Sequence, residues 1–481
     1  MSKYKELAKN TGIFALANFS SKILIFLLVP IYTRVLTTTE YGFYDLVYTT
    51  IQLFVPILTL NISEAVMRFL MKDGVSKKSV FSIAVLDIFI GSIAFALLLL
   101  VNNLFFLSDL ISQYSIYIFV IFVFYTLNNF LIQFSKGIDK IGVTAISGVI
   151  STAVMLAMNV ILLVVFDWGL LGFFIANVCG YVIPCIYIVS RLRLWELFEI
   201  KIDKKLQWEM VYYALPLVLN ILSWWVNNTS DRYIVTAIVG IQASAIISVA
   251  YKIPQILSTI SAIFIQSWQI SAIKIQEDKS DTTFIQSWQI SAIKIQEDKS
   301  DTTFVSNMLL YYNALLLIIA SGIILFVKPI SNILFGISFY SAWELVPFLI
   351  ISSLFNAISG CIGAIMGAKM DTHNIAKSAL VGMIANIILN IVLTFLMGPQ
   401  GITISTLIAS FLIFYMRKDS VKEINSETYR AIYLSWILLV VEACLLIYMD
   451  FIIGALIAMV INLFLLKDVI KPLYLKIFKR N

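Results

Sequence analysis

The chain has 481 residues, of which 60% are hydrophobic and only 13% are charged, and its formal net charge is +6 at pH 7. A soluble domain is about 45–50% apolar and about 25% charged, so the surface of a water-soluble globule could not shield this much apolar material. One histidine, four cysteines and twenty glycines leave little for a metal cluster, a disulfide scaffold or a glycine-rich phosphate loop. The composition predicts an integral membrane protein.

Apolar runs long enough to cross a bilayer occur about fourteen times, since a spanning helix needs roughly 20 predominantly apolar residues. The runs cover residues 11–33, 43–63, 79–101, 114–134, 142–166, 170–190, 211–234, 241–266, 304–327, 344–366, 374–397, 400–416, 430–449 and 451–470. They are continuous and lack the alternating polarity of barrel strands. The predicted fold is therefore an all-α membrane bundle.

The positions of lysine and arginine predict how the helices are oriented. Long stretches without either residue separate Lys78 from Lys136, Lys140 from Arg191, Lys377 from Arg417, and Arg430 from Lys467. Each stretch holds two spans and the loop between them, which indicates a hairpin whose outer turn has no lysine or arginine. Because basic loops stay on the cytoplasmic side of a membrane, both termini are predicted to be cytoplasmic.

A stretch of 20 residues occurs twice in tandem within the second half of the chain. The sequence FIQSWQISAIKIQEDKSDTT fills residues 264–283 and, without a single change, residues 284–303. Structural repeats drift in sequence, so a perfect copy indicates a recent duplication rather than a selected repeat. The unit is too short to span a bilayer, and its second copy is predicted to lie along the inner membrane surface or to extend the eighth helix.

Polar side chains inside the spans indicate where a cavity would lie. Those that we expect to line it are Asn18, Gln52, Asn220, Trp224, Asn227, Asp231 and Gln255. Polar groups are costly in a bilayer and usually face the interior of the bundle or a water-filled cavity. Amide and hydroxyl side chains also hold helices together, so any single one of them fits helix packing as well as a cavity lining.

Two lysines lie well inside predicted spans. Lys22 on the first span and Lys252 on the eighth are far from the span ends, and neither has a carboxylate one turn away on its own span. Two cations lining a cavity predict an anionic ligand, for which Arg232 is a third candidate. In the alternative, these cations form buried ion pairs with Asp87, Asp231 or Glu442.

Motifs for catalysis are absent from the sequence. It contains no G-x-S-x-G, H-E-x-x-H or Walker A pattern, and its one histidine, His373, falls in a predicted inner loop. The predicted outer loops are too short to form a catalytic domain. We therefore expect no enzyme activity, no cofactor and no metal.

Three segments resemble one family of transporters. They are S-D-R-Y at Ser230–Tyr233, A-Y-K-I-P at Ala250–Pro254 and, less specifically, L-T-x-x-E-Y-G at Leu36–Gly42. Over essentially its whole length the chain resembles the Wzx-type polysaccharide flippases, which translocate oligosaccharide-lipids and belong to the multidrug/oligosaccharidyl-lipid/polysaccharide exporter superfamily. The tandem duplication departs from the family pattern.

The resemblance implies two pseudo-symmetric six-helix lobes followed by two peripheral helices, in residues 1–200, 201–417 and 418–481. It also implies a flippase that moves undecaprenyl-diphosphate-linked oligosaccharide repeat units across the bacterial plasma (inner) membrane by alternating access. The product would enter capsule, O-antigen or exopolysaccharide. The implied partners are this lipid-linked oligosaccharide, the lipid bilayer and other polysaccharide assembly proteins, with no nucleic acid.

The resemblance also implies a role for the cations. In the related peptidoglycan-precursor flippases, basic residues on the first and eighth spans line the cavity. Lys22 and Lys252 would likewise bring one cation from each lobe to the diphosphate.

Two other functions remain open at this point. A drug or cation antiporter of the same superfamily would share the fold, but it would need an acidic ion site and only twelve spans. A membrane polysaccharide polymerase or ligase would need a substantial outer loop with Arg or His, which the sequence lacks. The span count and the cationic candidates favour the flippase.

The predicted topology can be tested with reporter fusions. Fusions placed after Asp109, Asp167 and Gly398 all fall in predicted outer loops, because each lies inside a long stretch of sequence without lysine or arginine. Each fusion should be active with alkaline phosphatase and dark with a cytoplasmic fluorescent protein. A cytoplasmic signal at any two of these positions would contradict the predicted orientation.

Overall fold

The structure is a computed structural model that describes residues 26, 28–72, 74–106, 108–199, 202–262, 302–368, 371–421 and 424–465. Regular secondary structure in these ranges is helical, which confirms the predicted all-α membrane fold. The chain forms two compact units, Met1–Ser230 and Asp231–Asn481. The tandem copies at 264–303 lie outside the described residues, and the division into two lobes and a peripheral pair stays a prediction.

The first unit is built around helices that pack side by side, with α5 in contact with α3, α4 and α7. In chain order its helices are residues 28–35 (α1), Thr38–Leu58 (α2), Ile62–Leu70 (α3), Lys77–Phe105 (α4), Asp109–Gly137 (α5), Ile141–Asn159 (α6), Gly169–Leu192 (α7) and Lys204–Ile238 (α8), the last of which ends in the second unit. The π-helical turn Val160–Val165 continues α6, so the two together fill the predicted span 142–166.

Helix α2 begins with a capping box inside the L-T-x-x-E-Y-G segment. The backbone N–H of Glu40 donates to Oγ1 of Thr37 at 3.2 Å, and the backbone N–H of Thr37 donates to Oε2 of Glu40 at 2.8 Å. The pair satisfies two backbone donors that the first turn of a helix leaves without a partner. This family-like segment therefore has a local structural role.

Helix α3 leaves α2 at an angle of 57°, although the sequence predicted one run from 43 to 63. The break falls at Leu60 and Asn61, which adopt left-handed backbone angles with φ of 49° and 52°. Gly91 of α4 lies directly against this break, because a Cβ atom there would come within 2.7 Å of the carbonyl oxygen of Leu58. Only glycine permits so close an approach of two backbones, and hydropathy does not reveal such a contact.

The interior of the first unit is packed with aliphatic and aromatic side chains from α3, α4, α5 and α7. Ile62, Ile83 and Phe134 are fully buried in it. A second cluster of rings surrounds Tyr44 of α2 and Phe173 of α7, whose ring centroids are 4.3 Å apart. These contacts fix the position of α2, the helix that carries the candidate residue Gln52.

The second unit continues from the end of α8. Its further helices are Ile241–Ala250 (α9), Pro254–Ala262 (α10), Thr302–Leu325 (α11), Val327–Leu334 (α12), Val346–Ala368 (α13), Thr372–Met397 (α14), Pro399–Lys418 (α15), Ser426–Met449 (α16) and Ile452–Leu465 (α17). Helix α15 packs between α13 and α14, and α16 packs against α11 and α17.

The bend between α9 and α10 has a covalent cause. Pro254 has no N–H to donate to the preceding turn, and its ring disfavours helical geometry at Ile253. The two helices meet at 46° across the three residues that separate them. The predicted eighth span is therefore helical but bent at A-Y-K-I-P.

Eight of the described helices are long and apolar enough to cross a membrane, or up to eleven spans if each of three bent pairs counts as one. Large apolar side chains such as Phe89, Leu104 and Phe395 point outward and are more than half exposed, as expected for a surface that faces lipid. The predicted first span, 11–33, lies mostly outside the described residues. The count of about fourteen spans and the cytoplasmic termini stay predictions.

Buried polar side chains join α11 to α16. Nε1 of Trp436 donates to Oδ1 of Asn313 at 2.8 Å. Oγ of Ser321 lies 2.9 Å and 2.7 Å from the two carboxylate oxygens of Glu442 and donates to them. Glu442 is fully buried, and Ser321 is its hydrogen-bond partner among the described residues. Glu442, which the sequence suggested as a counter-ion for a buried cation, is therefore hydrogen-bonded to a hydroxyl group.

Replacing Glu442 tests whether its charge matters to stability. Glu442→Gln should leave the thermal unfolding midpoint in detergent unchanged or raised, because the amide keeps an acceptor for Ser321 and needs no cation at this depth. Glu442→Leu should lower the free energy of unfolding by about 1 kcal/mol, a typical value for a hydrogen bond between membrane helices. Heating followed by size-exclusion chromatography measures both. A midpoint that falls equally with glutamine and leucine would contradict this account.

Candidate functional site

Two of the three segments that carry the family resemblance contact each other in the second unit. Asp231 and Arg232 of S-D-R-Y lie on α8, and Tyr251 of A-Y-K-I-P lies in the bend between α9 and α10. The hydroxyl of Tyr251 donates to Oδ2 of Asp231 at 2.6 Å. The guanidinium carbon of Arg232 lies 5.7 Å from the centroid of the Tyr251 ring. One tyrosine thus contacts an anion through its hydroxyl and a cation through its ring.

Arg232 is also held from α9. Its Nε donates to Oγ of Ser248 at 2.9 Å, and Ser248 is fully buried. The backbone N–H of Arg232 donates to Oδ1 of Asp231 at 2.9 Å. Asp231 is 5% exposed and Arg232 is half-buried, so both charges are largely removed from solvent. Charged groups inside a membrane bundle are costly unless they have such partners.

Lys252 follows Tyr251 in the same bend and is half-buried. Its backbone N–H donates to the carbonyl oxygen of Val249 at 3.0 Å, which closes a tight turn before Pro254 interrupts the helix. Gln255 lies in the first turn of α10 and is exposed. The structure therefore places Lys252 within the bend and Gln255 just after it, while Arg232 contacts the bend from α8 through Tyr251.

The other candidate residues are described less completely. Lys22 and Asn18 lie outside the described residues, so the proposed pairing of Lys22 with Lys252 stays a prediction. The structure describes the backbone of α8 at three further candidates, namely Asn220, Trp224 and Asn227. Gln52 lies on α2 of the first unit and is half-buried.

Two of the three acids considered as counter-ions have uncharged partners. Oδ1 of Asp87 accepts a hydrogen bond from Nε2 of Gln207 at 2.8 Å, and Glu442 accepts from Ser321. Among the described residues neither acid contacts a lysine. The remaining acid, Asp231, lies beside one candidate cation, Arg232.

Sequence reasoning missed the contacts of two aromatic residues, one in each unit. Tyr251 was part of the A-Y-K-I-P segment, but its role as a bridge between Asp231 and Arg232 depends on the bend. Trp225 of α8 donates from Nε1 to the carbonyl oxygen of Thr49 on α2 at 2.9 Å, one turn before Gln52. A search for aromatic donors next to polar stripes could have found both.

The chain resembles solved transporters over most of its length. It matches the lipid II flippase MurJ in an inward closed conformation with a TM-score of 0.67 and 15% identity, over 95% of this chain and 99% of that chain. It matches an inward-facing multidrug resistance MATE family transporter of the MOP superfamily with a TM-score of 0.61 and 13% identity, over 86% and 99%. It matches the Vibrio cholerae MATE transporter VcmN with a TM-score of 0.52 and 12% identity, over 88% of this chain and 98% of that chain.

At these identities the likeness shows a shared fold. The matched structures are a flippase and transporters, and the shared fold agrees with the prediction of a multi-pass membrane protein. No curated protein sequence matches the chain.

A family model for "Polysaccharide biosynthesis protein" matches residues 7–268. This range is more than half of the 481 residues and includes S-D-R-Y, A-Y-K-I-P and L-T-x-x-E-Y-G. The chain therefore belongs to the polysaccharide biosynthesis protein family.

Proposed function

We propose that the protein is a flippase that moves undecaprenyl-diphosphate-linked oligosaccharide repeat units from the inner to the outer leaflet of the bacterial plasma membrane. The units would then enter capsule, O-antigen or exopolysaccharide together with other assembly proteins. Membership of the polysaccharide biosynthesis family supports the pathway class. The fold shared with a lipid II flippase and with multidrug transporters supports transport.

The observation that carries this proposal is the Arg232 guanidinium beside the Tyr251 ring, with Lys252 next to Tyr251 in the chain, both cations half-buried in otherwise apolar spans. Placing cations there costs free energy, and an anionic ligand would offset that cost. A guanidinium can grip two oxygens of a diphosphate, and an ammonium supplies a compact charge. Lys22 would add a third cation from the first lobe.

The bend supports a mechanism of alternating access. Backbone hydrogen bonding is already interrupted around Pro254, so the angle between α9 and α10 can change there with little further loss. Because Tyr251 belongs to the bend and contacts Arg232, a change in that angle would move the cation. In the proposed cycle, diphosphate binding and the opening of the cavity are coupled through this tyrosine.

A second candidate, an ion-coupled drug antiporter, is favoured by one observation. Asp231 is a buried acid that accepts a hydrogen bond from a tyrosine hydroxyl, and an antiporter needs an acidic site for its driving cation. The two functions are separated by complementation. A flippase restores surface polysaccharide in a flippase-deficient strain, whereas an antiporter raises drug resistance in an efflux-deficient strain.

Substitution of the two lysines tests the anionic cavity. Lys22→Gln and Lys252→Gln should each lower export by about tenfold or more, since a charged hydrogen bond is worth about 1–2 kcal/mol and about 1.4 kcal/mol is tenfold. Arginine should restore more export than glutamine because it keeps the charge. Complementation of a flippase-deficient strain, with protein abundance measured in parallel, gives the readout.

Lys140→Gln is the matched control, because Lys140 is exposed in the turn before α6 and loses the same charge. It should export at the wild-type level. Normal export by both glutamine variants at wild-type abundance would mean that the cavity does not use these cations.

Two substitutions of Tyr251 distinguish its hydroxyl contact with Asp231 from its ring contact with Arg232. Tyr251→Phe keeps the ring beneath Arg232 and removes the donor to Asp231, whereas Tyr251→Ala removes both. Since a hydrogen bond to a charged group is worth about 1.5–3 kcal/mol, we expect reduced export with phenylalanine and a larger loss with alanine. Export per molecule of membrane protein is the measurement.

Tyr212→Ala is the control for this pair, since Tyr212 is an exposed tyrosine of α8, the helix that carries Asp231 and Arg232. It should export normally. If Tyr251→Ala also exports normally at wild-type abundance, the tyrosine does not position Arg232 for transport.

A further inference from the structure

A cavity of about 430 Å³ opens where α15 ends and α16 begins. Its walls include Lys418 at the end of α15 and Tyr429, Arg430, Tyr433 and Leu434 from the start of α16. This place is distinct from the bend at Tyr251, because it lies between two other helices of the second unit and at their ends. The lining of this cavity has basic, aromatic and apolar parts, and each part indicates one chemical property of the ligand.

The lysine is held by aromatic rings. Its Nζ lies 4.1 Å from the ring centroid of Tyr415 and 5.7 Å from that of Tyr433. The hydroxyl of Tyr429 donates to the carbonyl oxygen of Lys418 at 2.8 Å, which ties the end of α15 to the first turns of α16. The ammonium group is therefore placed by its surroundings rather than by a carboxylate.

The charge of the walls is positive. Lys418 and Arg430 contribute two cations, and Asp419 contributes the one acid of the lining. Among the described residues neither cation forms an ion pair with that acid. Arg430 is exposed and Lys418 is half-buried, so both can reach a bound anion.

The start of α16 adds to the positive potential. Ser426, the first residue of this helix, also lines the cavity, and Asn425 caps the helix by accepting from the backbone N–H of Thr428. The N-terminus of a 24-residue helix carries a partial positive charge, which favours an anion in its vicinity. The helix end and the two cations act in the same direction.

The apolar part of the lining indicates a lipid rather than a small soluble anion. The rings of Tyr429 and Tyr433 and the exposed side chain of Leu434 lie in the first turns of α16, near the end of a membrane helix, where tyrosine is typical of the boundary between lipid and water. The distribution of lysine and arginine predicts that this boundary faces the cytoplasm. Basic pockets between helices on that side bind the headgroups of anionic lipids.

We propose that this cavity binds the phosphate headgroup of an anionic membrane lipid, with Lys418 and Arg430 contacting the phosphate and Leu434 contacting an acyl chain. The proposal does not depend on the transported substrate. It predicts that the protein in a neutral detergent retains or rebinds such a lipid at the junction of α15 and α16.

Lipid titration of the purified full chain tests the proposal. Phosphatidylglycerol and phosphatidylcholine of equal chain length are added separately, and bound lipid is measured by native mass spectrometry. Since each basic residue near a membrane surface contributes about 1 kcal/mol, Lys418→Gln or Arg430→Gln should weaken phosphatidylglycerol binding about fivefold and the double variant about thirtyfold. Binding of phosphatidylcholine should not change.

Lys377→Gln is the matched control, because Lys377 is an exposed lysine of the same unit that does not line the cavity. The double variant Lys418→Arg and Arg430→Lys keeps both charges and should retain lipid binding. Retained binding would show that the cavity tolerates substitution of these two residues. Elution of every variant as a single monodisperse species establishes folding.

Three results would overturn the proposal. The first is that the double glutamine variant binds phosphatidylglycerol as tightly as the wild type does. The second is that Lys377→Gln weakens this binding as much as the double variant does, which would indicate diffuse charge attraction. The third is that glycerol phosphate at the same concentration displaces the lipid completely from the wild type, which would make a soluble phosphate the ligand.

Discussion

The hydrocarbon core of a bilayer offers no water, so every polar group that enters it must find a partner inside the protein. The hydroxyl groups of the described helices often do so locally. Oγ1 of Thr49 donates to the carbonyl oxygen of Asp45 at 2.8 Å, and Oγ1 of Thr126 donates to that of Phe122 at 2.7 Å. Such bonds stay within one helix and leave its packing to apolar side chains. Longer polar and charged side chains reach neighbouring helices, and these contacts determine which helices are joined.

The region around Tyr251 is the clearest result of this constraint. Asp231 and Arg232 are adjacent on α8, and each would be costly alone at its depth. The tyrosine hydroxyl satisfies the acid, its ring lies beside the guanidinium, and Ser248 accepts from Nε of the arginine. All of these partners come from α9 and the bend that follows it. The two family segments are therefore two halves of one contact, which explains why S-D-R-Y and A-Y-K-I-P occur together in this chain.

The sequence was sufficient to predict the membrane class, the helical fold and most helix positions, because apolar length and charge placement depend on the bilayer rather than on tertiary contacts. It did not predict the break at Leu60 and Asn61, since that break depends on the close approach of Gly91 from another helix. The candidate cations were identified by depth alone. Their partners were not, because Tyr251 and Ser248 are ordinary span residues until the bend brings them to Arg232.

The depth of a cation also limits what it can bind. Lys418 and Arg430 lie near helix ends, where water and lipid headgroups meet, so their charges remain partly hydrated without an ion pair. Arg232 lies within a helix and needs Tyr251 and Ser248 to hold it when no ligand is bound. If both proposals hold, a lipid phosphate occupies the cavity at the junction of α15 and α16 at equilibrium with the surrounding bilayer. A substrate at Arg232 must instead bring enough negative charge to compete with contacts that already exist, which a diphosphate does better than a single phosphodiester. On these proposals, the same residue types at two depths favour a resident lipid at one place and a transported, more highly charged lipid at the other.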